Sequence, residues 1–246
     1  MTNRIIAIGL LILIASSSAV FYMMAMIIWF CTVCFDRRLV VLHYFTSFWA
    51  SLYLWIMPAW SVSRKGRKKI KRGKIYLVVS NHQSQLDILV AFSLFFPFKW
   101  VSKAEVFKIP FIGWNMFLNR YIKLKRGDKE SVTQMMVDCG GTISKGSSVY
   151  FFPEGTRSYT GIVKEFKPGA FILAHKMRIP ILPIVINGSK NALPKHSLNF
   201  HGKHHIGIEV LDELPYETFK QLSIEETARK VRETIIEHVD EHRTVD

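Results

Sequence analysis

The sequence contains only three cysteines, Cys31, Cys34 and Cys139. Three is too few, and an odd number, for the disulfide framework that stabilises small secreted domains. Cys31 and Cys34 have the two-residue gap of a redox motif or zinc half-site, but they lie in an apolar run without a second pair of ligands. We therefore interpret the cysteines as small apolar residues that are buried in the protein.

Acidic residues are also scarce, with 19 Asp and Glu against 33 Lys and Arg and a formal net charge of +14. A disordered polycation is excluded because 49% of the residues are hydrophobic. Eight cations fall within residues 61–76, which contain no acid. Such a cluster beside an apolar segment favours binding to anionic membrane lipids. A solvated linker or a nucleic-acid patch would also explain it, but no nucleic-acid-binding motif accompanies the charge, and we expect no nucleic-acid partner.

Charge of either sign is absent from residues 5–35 and again from residues 39–60. The first stretch exceeds the roughly 20 residues that a helix needs to cross a bilayer. Three interpretations stay open: two membrane-spanning helices that turn at residues 36–38, a helical hairpin lying partly in one leaflet, or a signal peptide. Hydrophobicity that continues well past Ala19 disfavours the signal peptide. All three either place the chain at a membrane or send it across one.

Beyond the basic segment, short β-branched runs alternate with helical patterns, which indicates an α/β sheet with helices packed on its faces. The predicted strands are residues 75–80, 99–101, 121–124, 148–152, 181–186 and 206–210. The predicted helices are residues 85–95, 129–144, 170–177 and 224–238, the last of them amphipathic. We therefore divide the chain into a membrane-associated helical hairpin (1–62), a polybasic linker (63–76) and an α/β domain (77–246).

Polar residues follow the first predicted strand of this domain, beginning with Asn81 and His82. A histidine at the end of a buried strand lies where α/β proteins bind ligands, and it is the natural general base near neutral pH. Ser84 and Asp87 fit a capping box that would begin a helix and allow Asp87 to meet His82. The capping box alone would also explain both residues, with His82 an ordinary strand-end histidine.

The string Phe-Pro-Glu-Gly-Thr-Arg-Ser, residues 152–158, directly follows another predicted strand. Gly155 allows close backbone approach, and the hydroxyls of Thr156 and Ser158 can donate hydrogen bonds. Arg157 offers a forked donor that matches phosphate oxygens. An ordinary glycine turn with a surface arginine is the alternative. The spacing differs from that of a P-loop, which argues against nucleotide hydrolysis.

Three histidines, His201, His204 and His205, stand close together near the carboxyl end of the chain. Imidazole nitrogens are common metal ligands, so the group could bind a metal ion. No carboxylate or thiol partner lies nearby in the sequence, and we therefore interpret the group as a surface loop and expect no metal site.

Together the two motifs resemble the glycerolipid acyltransferase family, typified by 1-acylglycerol-3-phosphate acyltransferases. That family has Asn-His, four residues and Asp, followed downstream by Pro-Glu-Gly-Thr-Arg-Ser, as in residues 81–87 and 153–158. The resemblance covers about residues 60–210, and Lys125 departs from it because the family more often has Asp or Asn before the arginine. Further blocks in the family's order are Lys103-Ala104-Glu105, residues 109–113, an isoleucine strand ending at Arg126, and residues 181–184.

The resemblance implies a mixed sheet flanked by helices, preceded by a two-helix membrane element. It implies transfer of an acyl group from acyl-CoA or acyl-acyl carrier protein to the sn-2 hydroxyl of 1-acylglycerol-3-phosphate, which makes phosphatidic acid. His82 would be the general base, assisted by Asp87, and the substrate hydroxyl would be the nucleophile. The implied phosphate-binding residues are Lys103, Arg126, Gly155, Thr156 and Arg157. The residues implied to shape the motifs are Asn81, Pro153, Glu154 and Ser158.

The same resemblance implies no cofactor beyond the thioester co-substrate and no metal. The expected partners are the lysophospholipid acceptor, acyl-CoA or acyl carrier protein, and anionic lipids. The expected location is a membrane, on the cytoplasmic face of the inner or plasma membrane if the source is bacterial. No Gly-x-Ser-x-Gly elbow occurs, so a covalent acyl-enzyme is not predicted. An acyltransferase for another lysolipid and a non-catalytic anionic-lipid-binding protein stay open as alternatives, although the latter leaves both motifs unexplained.

Overall fold

The computed structural model describes residues 2–193 and 203–240. The helices are α1 (Thr2–Thr32), α2 (Val40–Ile56), α3 (Leu86–Phe92), α4 (Ile112–Leu118), α5 (Lys129–Ser144), α6 (Gly169–Met177), α7 (Ser189–Ala192) and α8 (Ile224–Ile236). The strands are β1 (Trp60–Lys65), β2 (Leu77–Ser80), β3 (Phe98–Lys103), β4 (Ile122–Leu124), β5 (Ser148–Phe151), β6 (Ile181–Asn187) and β7 (His204–Val210).

The strands form one sheet in the order β1-β7-β6-β2-β5-β3-β4. The five strands from β6 to β4 run parallel, whereas β7 is antiparallel to β6 and pairs in parallel with β1. The central strands β2 and β5 are buried along their whole length, because helices cover both faces of the sheet. The mixed α/β sheet flanked by helices is therefore confirmed.

Strand β1 was not predicted, because residues 60–62 were assigned to the N-terminal hairpin and residues 63–65 to the polybasic linker. It pairs with β7 from Trp60 opposite His204 to Lys65 opposite Glu209. Arg64 and Lys65 are exposed on this edge strand, where charged side chains discourage pairing with other chains. Part of the basic segment is thus built into the sheet.

The interpretation of the three histidines as a surface loop was wrong for two of them. His204 and His205 begin strand β7, because the residues around them pair with β1. The His205 ring lies between the hydroxyls of Ser61 and Ser63, at 3.0 and 2.9 Å. His201 lies outside the described residues.

The expectation of buried cysteines holds for Cys139 alone. Cys139 is buried in the core beneath the sheet, whereas Cys31 and Cys34 are exposed near the carboxyl end of α1. Their neighbours Phe30 and Phe35 are 78% and 74% exposed. The sequence could not reveal this exposure, since α1 is apolar on all sides and its pattern does not indicate which side packs.

Two hydrophobic cores lie on the two faces of the sheet. One contains residues of α2 and α3, and the other contains residues of α5, α6 and α8. The amphipathic pattern predicted near the carboxyl end matches α8, which buries Thr227, Val231 and Ile235. Helix α8 begins with a capping box formed by Ser223 and Glu226.

The two N-terminal helices pack side by side, but only α2 is part of the domain core. Ala50 and Leu54 of α2 belong to the core above the sheet, and His43 packs edge-on against Phe98 with ring centroids 4.8 Å apart. At 17 residues, α2 is about 26 Å long, shorter than a bilayer core. Because one side of α2 is held by the domain, two free membrane-spanning helices are disfavoured.

Helix α1 packs on the outer side of α2. Its Ser17 hydroxyl lies 2.8 Å from the Tyr53 hydroxyl, and Phe21 contacts Trp49 with centroids 5.5 Å apart. Within the described residues, Ile12–Thr32 is the one helical segment long and apolar enough to cross a bilayer. The hairpin also carries exposed apolar side chains: Ile12, Leu13, Val20, Met23, Met24, Ile27 and Phe30 on α1, and Val41, Tyr44, Phe48, Trp55 and Ile56 on α2. Exposed apolar surface of this extent is typical of membrane contact.

The unequal roles of the two helices predict different effects of truncation. A chain beginning at residue 58 lacks α2, so its core above the sheet is open to water, and it should lose its cooperative thermal transition in detergent. A chain beginning at residue 38 retains α2 and should keep that transition. Near-UV circular dichroism during heating compares the two. Equal melting of both chains would show that α2 is not part of the folding unit.

Candidate active site

The candidate site lies at the carboxyl ends of β2 and β5, which are neighbours in the sheet. The chain leaves β2 toward α3 on one face, whereas it leaves β5 toward α6 on the other face. Such a divergence opens a crevice at the sheet edge, and α/β proteins bind their ligands in crevices of this kind. Both sequence motifs, residues 81–87 and 152–158, line this edge.

Asn81 fixes the chain where β2 ends. Its side-chain amide donates to the carbonyl oxygen of Ile186 at 2.8 Å, and its side-chain oxygen accepts from the Ile186 N–H at 2.8 Å. In these two bonds the side chain of Asn81 pairs with the backbone of β6, just beyond the last backbone pair of β2 and β6. Asn81 is buried. Asn81 therefore sets the position from which His82 leaves the sheet.

His82 and Asp87 meet at this turn. Nδ1 of His82 lies 2.8 Å from Oδ2 of Asp87, and the Asp87 side chain is fully buried. The same oxygen accepts from the backbone N–H groups of Gln83 and Ser84, at 2.7 and 2.8 Å. Because an ionised carboxylate can only accept, Nδ1 carries the imidazole proton and Nε2 presents a lone pair. Within the described residues, Nε2 has no hydrogen-bond partner.

The predicted capping box is only half formed. Asp87 accepts from the Ser84 N–H as predicted, but the Ser84 hydroxyl donates to the carbonyl oxygen of Leu193 at 2.7 Å. That hydroxyl accepts from the Leu86 N–H at 3.3 Å rather than from Asp87. Helix α3 consequently begins at Leu86, with Gln85 as its N-cap. Asp87 thus binds both the turn and the imidazole.

The loop after β5 holds His82 from three sides. The imidazole stacks on the Phe152 ring with centroids 3.9 Å apart and planes 15° from parallel. Oε1 of Glu154 accepts from the His82 N–H at 2.8 Å, and the His82 carbonyl oxygen accepts from the Ser158 N–H at 2.8 Å. These contacts leave the ring little freedom to rotate. Only 12% of the His82 side chain is exposed.

Glu154 is a buried carboxyl group that shapes the loop. Its second oxygen accepts from the Lys164 N–H at 3.1 Å. Glu154 therefore joins the end of β2 to the later part of the loop that follows β5. Burial raises the pKa of Glu154 to about 7, and the charge of Asp87 adds to the rise, while the N–H donors of Lys164 and His82 oppose it. Its carboxyl group therefore titrates near neutral pH.

Gly155 and Pro153 complete the turn. Gly155 has φ +69°, a backbone conformation that residues with a Cβ rarely adopt, and an added Cβ would displace the end of the Lys167 side chain. The Pro153 carbonyl oxygen accepts from the Lys167 N–H at 2.9 Å. Ser158 is buried, and its hydroxyl accepts from the Gly161 N–H at 3.2 Å. Thr156 is half-buried at the tip of the turn.

The predicted cations all follow carboxyl ends of parallel strands. Arg157 follows β5, Lys103 ends β3 and Arg126 follows β4, so they lie on the same sheet edge as His82. Neighbouring strands are about 4.8 Å apart, which arranges the cations outward from His82 in that order. Arg157 is half-buried, and its guanidinium makes no hydrogen bond within the described part of the chain.

Two of the neighbouring lysines have carboxylate partners. Lys103 lies 3.2 Å from Glu105, with both side chains about half exposed. Lys125, which departs from the family pattern, lies 3.1 Å from Asp128 at the start of α5. Exposed pairs of this kind contribute about 0 to 1 kcal/mol. Lys103 can therefore leave Glu105 for a phosphate at little cost, whereas the charge of Lys125 is offset at the start of α5.

Several contacts of the site were not predicted from the sequence. Phe152 was noted as the end of a strand and the first residue of the 152–158 motif but was given no role, yet its ring stacks on His82. Gln83 and Lys164 act through backbone N–H groups, which any residue other than proline could supply. Residue identity gives no signal for such roles. The described residues contain no group of three or more His, Cys, Asp or Glu side chains placed to hold a metal ion.

Comparison with known proteins gives consistent matches. The sequence profile of the Acyltransferase family matches residues 61–187, slightly more than half of the chain. A chloroplastic 1-acyl-sn-glycerol-3-phosphate acyltransferase from Brassica napus is 35% identical over 204 residues, which cover 82% of this chain and 58% of the relative. One from Arabidopsis thaliana is 38% identical over 156 residues, which cover 63% and 43%. The chain spans about half the length of the curated relatives it matches.

A solved structure has the same fold. The 1-acyl-sn-glycerophosphate acyltransferase PlsC from Thermotoga maritima aligns with a TM-score of 0.75 over 95% of this chain and 94% of that protein, at 22% sequence identity. The aligned region includes nearly all of both chains, so the likeness extends beyond the region that the family profile matches. On the strength of that profile match, the chain belongs to the Acyltransferase family.

Proposed function

We propose that the protein transfers a fatty acyl group from acyl-CoA or acyl-acyl carrier protein to the sn-2 hydroxyl of 1-acylglycerol-3-phosphate, which makes phosphatidic acid. The observation that carries this proposal is the 2.8 Å contact between Nδ1 of His82 and Oδ2 of Asp87 at the carboxyl edge of the sheet. The names of the curated relatives, which are 1-acyl-sn-glycerol-3-phosphate acyltransferases, support the same reaction.

His82 acts as the general base. Asp87 fixes the tautomer in which Nε2 can take a proton, and the stacked Phe152 ring keeps the imidazole in one orientation. The carboxylate also stabilises the imidazolium that forms, as it does in a Ser-His-Asp triad. The acceptor hydroxyl takes the place of the serine, so no covalent acyl-enzyme is needed.

The acyl transfer uses His82 first as a base and then as an acid. Nε2 of His82 removes the proton of the acceptor hydroxyl while its oxygen attacks the thioester carbonyl carbon. The tetrahedral intermediate then collapses, which breaks the C–S bond and leaves an ester. The departing thiolate takes the proton from the imidazolium, and His82 returns to its starting state. One C–O bond forms, one C–S bond breaks, and the proton passes from the alcohol to the thiol.

The cations at the same edge bind the phosphate of the acceptor. Arg157 follows β5, which is the neighbour of β2, the strand that ends before His82. Its guanidinium makes no hydrogen bond with the described residues, so its forked donors are available to a phosphate. Lys103 and Arg126 lie farther out and add charge. A phosphate held here leaves the glycerol hydroxyl directed toward Nε2. The exposed apolar face of the N-terminal hairpin keeps the enzyme at a membrane, where both lipid and product reside.

Loss of the general base should abolish most of the activity without unfolding the protein. His82→Ala should lower kcat by about 10²- to 10⁴-fold, and Asp87→Asn should lower it comparably, because the amide favours the wrong tautomer. Incorporation of labelled acyl groups from acyl-CoA, and separately from acyl-acyl carrier protein, into lysophosphatidate measures the effect. Circular dichroism controls for folding. Full turnover in folded His82→Ala would end the mechanism.

Loss of the phosphate contact should act mainly on acceptor binding. Arg157→Gln should raise KM for lysophosphatidate about tenfold or more, since a charge-assisted contact contributes roughly 1.5 to 3 kcal/mol. Arg229→Gln, an exposed arginine on α8, is the matched control and should leave KM unchanged. Lysophosphatidylcholine, which lacks an exposed phosphomonoester, should be a poor acceptor for the wild type. An unchanged KM for Arg157→Gln would remove this assignment.

Glu154 should give the protein a pH-dependent stability. The folded pKa of about 7 lies above the unfolded value, so the stabilisation is complete below about pH 4.5 and is lost as the pH rises through 7. The loss is at most about 3 kcal/mol. Glu154→Gln removes this dependence. Thermal midpoints in detergent between pH 5 and 8 should therefore fall more steeply for the wild type than for the variant, and parallel profiles would contradict the assignment.

A further inference from the structure

A polar cavity lies at the edge of the sheet opposite to the edge that carries His82. It has a volume of about 420 Å³ and is formed at the amino ends of β3 and β5, by residues 94–99 and 146–148. The turn between the N-terminal helices and the segment 67–74 form its other walls. The four residues of β5 run from the cavity to the edge that carries His82, a distance of about 13 Å. None of the residues that line the cavity takes part in the proposed acyl transfer.

The charged residues that line the cavity within the described part of the chain are all cations. No acidic residue lines it within the described part of the chain, and the cations that do are Arg38, Arg67, Lys71, Arg72, Lys74 and Lys99. Glu213 pairs with two of them, Lys71 at 2.9 Å and Lys74 at 2.6 Å, so it offsets part of this charge from outside. The remaining cations still leave a strong excess of positive charge around one concave site.

Two of the arginines are held in place by backbone carbonyl groups. Nη1 of Arg38 donates to the Gly146 oxygen at 2.9 Å, and Nε of Arg67 donates to the Leu94 oxygen at 2.8 Å. Each guanidinium has five N–H donors, so most remain for a ligand. Side chains fixed in this way lose little conformational entropy when an anion binds.

Lys99 supplies a buried amino group that forms no salt bridge within the described part of the chain. The residue lines the cavity and is 5% exposed, and its Nζ has no hydrogen-bond partner among the described residues. Burial lowers the pKa of Lys99 to about 7, the charge of Arg120 adds to the fall, and the charge of Asp36 opposes part of it. An unpaired buried ammonium is costly, and an anion in the cavity would offset that cost.

The position of the cavity indicates where the anion comes from. Val40 and Tyr44 of α2 line it, and Tyr44 is also part of the exposed apolar face that continues along α2 through Phe48. A phosphate in the cavity would therefore have hydrocarbon-binding surface directly beside it. Cations next to an apolar helical face are the arrangement that binds lipid head groups at a membrane surface.

We propose that this cavity binds the phosphate-bearing head group of an anionic membrane lipid, as a site separate from the catalytic edge. The lipid's acyl chains follow the apolar face of α2. The bound head group anchors the amino edge of the sheet to the membrane and neutralises Lys99. This anchoring is independent of the acyl-transfer chemistry, so it holds whichever acceptor the enzyme uses.

Vesicle flotation with the full-length protein tests the proposal. Arg72→Gln/Lys99→Met removes two cavity cations, whereas Arg229→Gln/Lys230→Met removes two exposed cations from α8 as a matched control. On vesicles of phosphatidylcholine mixed with phosphatidylglycerol, the cavity variant should bind roughly 25-fold more weakly than the control, since each of the two cations near anionic lipid contributes about a factor of five. On phosphatidylcholine alone, wild type, variant and control should bind alike, because the apolar hairpin is unchanged.

Three further measurements control for folding, for free phosphate and for the catalytic mechanism. Arg72 is exposed and makes no hydrogen bond with the described residues, so Arg72→Gln alone avoids folding effects and should weaken binding about fivefold. Replacing chloride with inorganic phosphate at constant ionic strength should weaken the binding of the wild type to the anionic vesicles but leave that of the cavity variant unchanged. Equal losses in the cavity and control variants would overturn the proposal. His82→Ala should bind both kinds of vesicle like the wild type, which separates this test from that of the catalytic mechanism.

Discussion

The buried Asp87 carboxylate is the interaction on which the site depends. One of its oxygens accepts from the His82 imidazole and from two consecutive backbone N–H groups, all within 2.8 Å. Burying a carboxylate is costly unless hydrogen bonds offset its desolvation, and here the donors come from the turn that joins β2 to α3. The turn, the beginning of the helix and the tautomer of His82 are therefore coupled, because a change in any of them removes a hydrogen bond from Oδ2, and Oδ1 has no hydrogen-bond partner among the described residues.

The parallel part of the sheet explains how residues distant in sequence come to one place. Every strand from β6 to β4 ends at the same edge, so the segments that follow β2, β5, β3 and β4 are neighbours, although contacting residues such as His82 and Glu154 are 72 positions apart in the sequence. The opposite edge collects the beginnings of the same strands, together with the basic segment 67–74. Two groups of cations thus lie at opposite edges of the sheet, and each edge can bind a different anion.

Much of this arrangement could be predicted because it depends on local patterns. Alternating apolar runs and helical periods gave six strands and four long helices, and α5 matches residue by residue. Strand β1 was missed because its stability comes from pairing with β7, more than 130 residues away, and not from its own apolar content. The same limit applies to Cys31 and Cys34, since an entirely apolar helix does not reveal which side packs. In the site, side-chain identity indicated His82 and Asp87, but the backbone donors have no sequence signal.

The N-terminal hairpin is mechanically joined to the catalytic turn. Leu54 of α2 and Leu86 and Val90 of α3 belong to one core, and Leu86 immediately precedes Asp87. Protein cores are close-packed, so a shift of α2 is transmitted to α3 rather than absorbed between them. A membrane that fixes the outer face of α2 therefore also fixes the orientation of His82 relative to the bilayer. In the proposed reaction the acceptor and the product both stay in that bilayer, so this coupling would set the depth at which the acceptor hydroxyl meets Nε2.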